Sequence, residues 1–203
     1  MNDTRPALVF DAGGVLEADH AMAKLLAVLA RQTGKDPGPL AAEYESQLKD
    51  RLSSGHLSEH ELWDWVRART ESAETDERLH DQMLEELTAL PAVASVPHWA
   101  KRARLRMLSN HFAPWLRPRL REEGIEDLFE PKGIFISSET GILKPDPRAF
   151  IEAFEGLPPA RVMYIDDKQR NLRIASQLGA ATLEAEPTGQ WSKKVDTWID
   201  EHE

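Results

Sequence analysis

Four places along the 203-residue chain carry residue types that could handle a charged, oxygen-rich ligand. Asp11 follows the apolar run Ala7-Leu8-Val9-Phe10 and leads into Gly13-Gly14. Ser109 and Asn110 come after another apolar run, Leu105–Leu108, and Asp166-Asp167 after Val162–Ile165. Lys144 lies within Gly141-Ile142-Leu143-Lys144-Pro145-Asp146-Pro147, beyond the run Ile134–Ile136. Carboxylates gathered in one place repel one another unless a cation joins them, and hard oxygen donors suit Mg²⁺. An ammonium and a hydroxyl beside them make a site for an anionic ligand, of which phosphate is the most direct choice. The turn Ala12-Gly13-Gly14 can add backbone N–H groups, because glycine lets the main chain come close to a phosphoryl oxygen. Taken singly, each has a plainer explanation. Asp11 could be a turn residue, Ser109-Asn110 a helix N-cap, Asp146-Pro147 a helix start and Asp166-Asp167 a solvated turn. Their shared position after successive apolar runs is what argues for one site.

Those runs read as short buried strands, and Ala181–Leu183 adds a fifth. Helical patterns separate the later ones: Trp115–Glu123, Pro147–Phe154 and Asn171–Leu178. Strands alternating with helices predict right-handed βαβ units, a Rossmann-like parallel sheet with helices on both faces, and ligands at the carboxyl ends of the strands. The stretch from Glu17 to Pro91 breaks the alternation. Met22, Leu25, Leu26 and Leu29 form a helical stripe that stops at Gly34, and a second helix is expected over Pro39–Leu52. A third begins at Ser58, with Glu61 completing a capping box, and is expected to bury Leu62, Trp65 and Val66. A fourth carries Leu79, Met83, Leu87 and Leu90. Four successive helices cannot continue a parallel sheet. They predict a helical subdomain over residues 17–91, inserted into a core of 1–16 and 92–203 and lying beside the carboxyl ends of the strands.

Composition narrows the classes of function. The chain is 41% hydrophobic and 30% charged, enough to fill a core and unlike a disordered chain. Thirty-five acidic against 25 basic residues give a formal charge of −10, which disfavours binding to nucleic acid or to an anionic membrane surface. No apolar run approaches the ~20 residues of a membrane span. Met-Asn-Asp-Thr-Arg-Pro leads straight into a strand without the apolar stretch of a signal peptide. Without cysteine there is no disulfide, thiolate site or thiol nucleophile, which suits a cytoplasmic protein. His56 and His60 lie on opposite sides of the Ser58 cap, so they do not form a helical metal pair.

Val9-Phe10-Asp11-Ala12-Gly13-Gly14-Val15-Leu16, Leu108-Ser109-Asn110, the Gly141–Pro147 segment and Tyr164-Ile165-Asp166-Asp167 through Asn171 together resemble the four ordered motifs of the haloacid dehalogenase (HAD) superfamily. The likeness spans nearly the whole chain and is closest to the subgroup with a helical cap after the first motif. It implies a hydrolase, phosphatase-like, acting on a small phosphorylated molecule. By this resemblance Asp11 is the nucleophile, forming an aspartyl-phosphate that water hydrolyses. Mg²⁺ is held by Asp11, the Gly13 carbonyl and Asp167, with Asp166 beside it. Ser109 and Lys144 hold the phosphoryl oxygens, Ala12, Gly13 and Asn110 complete the ligand cradle, and Asn171 orients the Asp166-Asp167 loop.

One position departs from the pattern. Most phosphatases of this superfamily carry, two residues after the nucleophile, an aspartate that protonates the leaving group; here that residue is Gly13. General acid catalysis is worth ~10²–10⁴-fold. Either the substrates have good leaving groups (a sugar-1-phosphate, a diphosphate or an aryl phosphate), or Asp19 or His20 supplies the proton, or the chemistry is different. A dehalogenase needs no such acid but does not keep the acidic pair that Asp166 and Asp167 represent, and a non-catalytic phosphate-binding protein is a third reading.

Overall fold

The computed structural model describes residues 4–203; Met1, Asn2 and Asp3 lie outside the described residues. Five parallel strands form one sheet in the order β3-β2-β1-β4-β5. They are β1 Ala7–Phe10, β2 Arg104–Ser109, β3 Ile134–Ile136, β4 Val162–Asp166 and β5 Ala181–Glu184, each within two residues of its apolar run. β1 is central and buried on both faces, so every residue of Ala7-Leu8-Val9-Phe10 is apolar rather than every second one. On one face Leu8, Phe10, Met107 and Ile165 pack against Trp99 and Trp191. On the other, Val9, Leu108 and Tyr164 meet Phe150 and Phe154. Among the described residues no helix is long and apolar enough to cross a membrane.

Between β1 and β2 lie α1 Ala21–Gln32, α2 Pro37–Gln47, α3 Lys49–Ser53, α4 Glu59–Thr70, α5 Asp76–Glu86 and, after a 3₁₀ turn, α6 Val96–Trp99. After β2 come α7 Ala113–Glu122, then α8 Ser137–Thr140 and α9 Pro147–Ala153 between β3 and β4; α10 Gln169–Gln177 and α11 Ser192–His202 flank β5. Helices α1–α5 share a hydrophobic cluster of their own, which meets the sheet side at Trp115 of α7 and at Phe112 before it.

The helical segment differs from its sequence expectation in three places. The second helix is two, because the chain bends at Leu48. Beyond the bend Ser53 meets the end of the sheet, where its carbonyl accepts a hydrogen bond from the Ser137 hydroxyl at 2.5 Å. The segment therefore carries five helices rather than four. In α4 it is Trp63, stacked on Trp115 with ring centroids 5.8 Å apart, that enters the core. Trp65 sits on the helix flank, its indole N–H donating to Glu43 and its ring beside Arg69. Leu90 lies outside α5, because Leu87 is extended and the following residues pair with the outgoing chain. There the Ala18 N–H donates to the Thr88 carbonyl and the Leu90 N–H to the Leu16 carbonyl, both at 2.8 Å, with Glu17 opposite Ala89. This short tie joins the exit from the sheet to the return. Glu17 within it is fully buried, and neither carboxylate oxygen has a hydrogen-bond partner.

Candidate active site

All four sequence segments converge at the carboxyl end of the sheet. Asp11 ends β1 and is 4% exposed. Its Oδ1 accepts from the Ala12 N–H at 2.7 Å and the Ser109 hydroxyl at 2.8 Å, and its Oδ2 lies 2.9 Å from Lys144 Nζ. Burial pushes the Asp11 carboxyl up to about 6; the Lys144 charge opposes this and the Asp166 charge adds to it. Lys144 Nζ also donates to Asp166 Oδ2 at 2.8 Å and to the Tyr164 hydroxyl at 3.1 Å. The lysine therefore sits buried between two carboxylates, a placement that only such pairing sustains.

Asp166 is the fixed member of the acidic pair. Its oxygens accept from Lys144, from the Tyr164 hydroxyl at 2.5 Å, from the Lys168 N–H at 2.8 Å and from Asn171 Nδ2 at 2.9 and 3.0 Å. Burial alone would raise this group, but the Lys144 charge and these hydrogen bonds hold it below the usual carboxylate range. Among the described residues Asp167 has a single side-chain partner, Lys168 Nζ at 3.1 Å, and burial holds its carboxyl above the usual range. Carboxylate oxygens of Asp11, Asp166 and Asp167 all lie within 4.8 Å of one another. Gly14, at φ 76°, must be glycine twice over: the backbone is left-handed, and a Cβ there would stand 2.7 Å from Asp167 Cγ.

Asn110 turns its amide onto the Lys144 main chain, Nδ2 donating to the carbonyl at 2.9 Å and Oδ1 accepting the N–H at 2.7 Å; it aims the lysine. Asn171 aims Asp166 in the same way. In the turn after Asp11, the Ala12 N–H is spent on the Asp11 carboxylate and the Gly14 N–H on the Glu17 carbonyl at 2.8 Å, which leaves only that of Gly13 uncommitted among the described residues. His20 takes a left-handed backbone (φ 71°) ahead of α1 and lines the cavity mouth. Asp19 comes closer. A Cβ built on Gly13 would stand 2.5 Å from Asp19 Oδ1, so the Asp19 carboxylate occupies the space that a side chain at position 13 would fill. Its other oxygen is 3.8 Å from Lys168 Nζ.

Sequence reasoning passed over two participants. Tyr164 bridges Lys144 and Asp166; the signal was available, since residues two apart on a strand share a face. Lys168 follows the acidic pair directly, and although burial works against its charge, Asp11, Asp19 and Asp167 hold its pKa above the ordinary lysine value. Asp11, Lys144 and Lys168 line a cavity of about 150 Å³ together with Tyr44, Leu52, His111 and Trp115. Neither Trp63 nor Trp65 reaches it.

Chains of known structure share this fold. A HAD family enzyme from Bacteroides thetaiotaomicron superposes with a TM-score of 0.79 at 20% identity, over 95% of this chain and 99% of that one. A predicted HAD-like family hydrolase from Porphyromonas gingivalis gives 0.75 at 19% identity, over 97% and 98%. A HAD phosphatase from Thermococcus onnurineus gives 0.62 at 16% identity, over 94% and 97%. No curated protein sequence matches. The model of the haloacid dehalogenase-like hydrolase family matches residues 6–179, from the start of β1 to beyond α10, and the chain belongs to that family of hydrolases.

Proposed function

We propose that the chain is a Mg²⁺-dependent phosphatase that hydrolyses a small phosphorylated metabolite through an aspartyl-phosphate on Asp11. The observation that carries this reading is the double engagement of Asp11: one oxygen is held by Ser109 and Ala12, the other by Lys144, beside a second and a third carboxylate. The donor set fits a hard divalent cation. It consists of oxygens only, Asp167 keeps one oxygen without a partner, and the Gly13 carbonyl accepts none of the backbone hydrogen bonds of its turn among the described residues. Asp11, Asp167 and that carbonyl would hold Mg²⁺, with Asp166 beside them, and the ion would shield the carboxylates from the phosphoryl oxygens. The enzyme from Bacteroides thetaiotaomicron has been solved with magnesium and inorganic phosphate, which supports the same reading here.

The residues then divide the work. Ser109 and Lys144 bind phosphoryl oxygens and free an Asp11 oxygen to attack phosphorus in line with the leaving oxygen. Asp19, rather than His20, donates the proton to that oxygen as the P–O bond breaks, because its carboxyl overhangs Gly13 beside the nucleophile. As carboxylate it then takes a proton from the water that cleaves the aspartyl-phosphate, returning Asp11 and releasing phosphate. With a proton donor in place, good leaving groups are not required. Helices α1–α5, over residues 17–91, act as the cap that closes the cavity above this floor.

The test is turnover of 4-nitrophenyl phosphate with and without Mg²⁺, together with mass detection of phosphate on Asp11 in acid-quenched enzyme. Halide release from 2-haloacids without phosphatase turnover would establish dehalogenase chemistry instead.

A further inference from the structure

Asp19 has little to hold it in place. Its side chain is 36% exposed, and among the described residues its carboxylate accepts no hydrogen bond. A side chain so placed has several rotamers within reach, whereas proton transfer needs the one that puts Oδ1 over Gly13. Its ion-pair partner is Lys168, whose Nζ lies 3.8 Å from Asp19 Oδ2, the oxygen farther from Gly13. Lys168 is itself anchored. Its N–H donates to Asp166 Oδ1 at 2.8 Å, and its carbonyl accepts from the Asn171 N–H at 2.9 Å as α10 begins. Its Nζ donates to Asp167 Oδ1 at 3.1 Å. The ammonium therefore stands between a carboxylate on the chain that has left β1 and one on the loop that follows β4.

The two lysines divide the carboxylates of the site between them. Lys144 pairs with Asp11 and Asp166, and Lys168 with Asp167 and Asp19. Lys144 is buried and committed, so it cannot take the second place. Lys168 is 39% exposed, which makes its hold on Asp19 modest but leaves the ammonium on the cavity wall. A carboxyl at position 13 would be carried by the turn itself. One delivered from position 19 needs a partner from elsewhere in the fold, and Lys168 is the cation that reaches it.

We propose that Lys168 is a positioning residue whose ammonium, bridging Asp167 and Asp19, holds the proton donor over Gly13. The role rests on Asp19 as donor, but the bridge can be measured without turnover. Lys168→Met keeps the length of the side chain and removes the charge. The ratio of kcat/KM for 4-nitrophenyl phosphate to that for propyl phosphate should widen about fivefold. That is the upper end for a partly exposed ion pair and far short of the loss expected on removing the acid. Lys168→Arg should restore the wild-type ratio, and Lys168→Met added to Asp19→Asn should not widen it further. By calorimetry Mg²⁺ should bind Lys168→Met at least about twofold more tightly, because the lost ammonium repelled a cation at Asp167; damage to the loop would weaken binding instead. A double-mutant cycle of Lys168→Met and Asp19→Asn on melting temperature reads the pair directly. An unchanged ratio in Lys168→Met, an equal widening in the Asp19→Asn background, or weaker Mg²⁺ binding would overturn the positioning role. Melting temperatures that add without coupling would overturn the bridge itself. Coupled melting temperatures in a protein that hydrolyses neither ester would overturn the phosphatase reading and leave the bridge standing.

Discussion

Moving one carboxyl group from position 19 to position 13 gives a direct test of where the leaving group finds its proton. Asp19 Oδ1 lies 2.5 Å from the point where a Cβ on Gly13 would stand, about 1 Å inside ordinary carbon–oxygen contact, so the two positions compete for one space. Gly13 does not have the left-handed φ of Gly14, so a side chain is sterically limited there by Asp19 and not by the backbone. Asp19→Asn should lower kcat/KM for an alkyl phosphate by ~10²–10⁴-fold, or about 3–5 kcal/mol of transition-state stabilisation. For 4-nitrophenyl phosphate, whose phenolate leaves without help, the same variant should stay within a few-fold of wild type. Gly13→Asp alone forces the Asp19 carboxylate aside at a cost of about 1–3 kcal/mol in stability. The double variant Gly13→Asp/Asp19→Gly removes the collision while keeping one acid beside Asp11, and should recover alkyl phosphate turnover to within about tenfold of wild type.

The assay is a leaving-group series from nitrophenyl to alkyl phosphates on the wild type, Asp19→Asn, Gly13→Asp, Asp19→Gly and the double variant. Melting temperatures measured alongside report the steric coupling independently of activity. A leaving-group slope in Asp19→Asn no steeper than in wild type would refute Asp19 as the proton donor. A double variant no better than Asp19→Gly on alkyl phosphates would refute the interchange of positions.

Asp11→Asn should abolish turnover and, by relieving repulsion among three carboxylates, raise the melting temperature without Mg²⁺; a residual rate above a tenth of wild type would remove Asp11 as nucleophile. Mg²⁺ should stabilise the wild type by roughly 2.7 kcal/mol at a hundredfold excess over Kd. Asp167→Ala should remove that gain more fully than Asp166→Ala, and the absence of any shift in wild type would count against the metal site. Glu17, pushed up to about 7 by burial with Arg119 opposing, is held protonated; a raised carboxyl pKa stabilises fully below about 4.5, and that contribution is lost as pH rises through about 7. Glu17→Gln should therefore gain up to roughly 3 kcal/mol over wild type at pH 8 and nothing at pH 4.5, and parallel melting curves across that range would contradict it.

The sheet was legible because burial on both faces leaves a strong signature. Ala7–Phe10 and Val162–Ile165 are continuous apolar runs, and each ends where the chain must turn. The capped start of α4 was legible for the same local reason: Ser58 and Glu61 satisfy each other's backbone groups without help from the rest of the fold. Tertiary contacts settled what periodicity could not. The bend at Leu48 follows from Ser53 reaching Ser137, 84 positions away. The end of α5 at Glu86 follows from Thr88 and Leu90 pairing with the chain that leaves β1. Trp63 and Trp65 are chemically the same, and only the position of Trp115 decides which one is buried.

At the site, the sequence showed which charges must meet but not how they are shared. Asp166 and Asp167 are neighbours of one residue type, yet one is saturated by Lys144, Tyr164, Asn171 and a backbone N–H while the other keeps an open oxygen. That division depends on strand β4 placing Tyr164 on the same face as Asp166, and on the turn sending Asp167 toward Gly14. Gly13 is the sharper case. In the sequence it is the loss of an acid, and Asp19 is one of two candidates chosen only for nearness along the chain. In space the relation reverses: the carboxylate of Asp19 fills the volume that a side chain at position 13 would take, and glycine there is the condition for its doing so. A substitution that looks like a missing function can therefore be half of an exchange whose other half lies six residues on, and only the shared volume ties the two together.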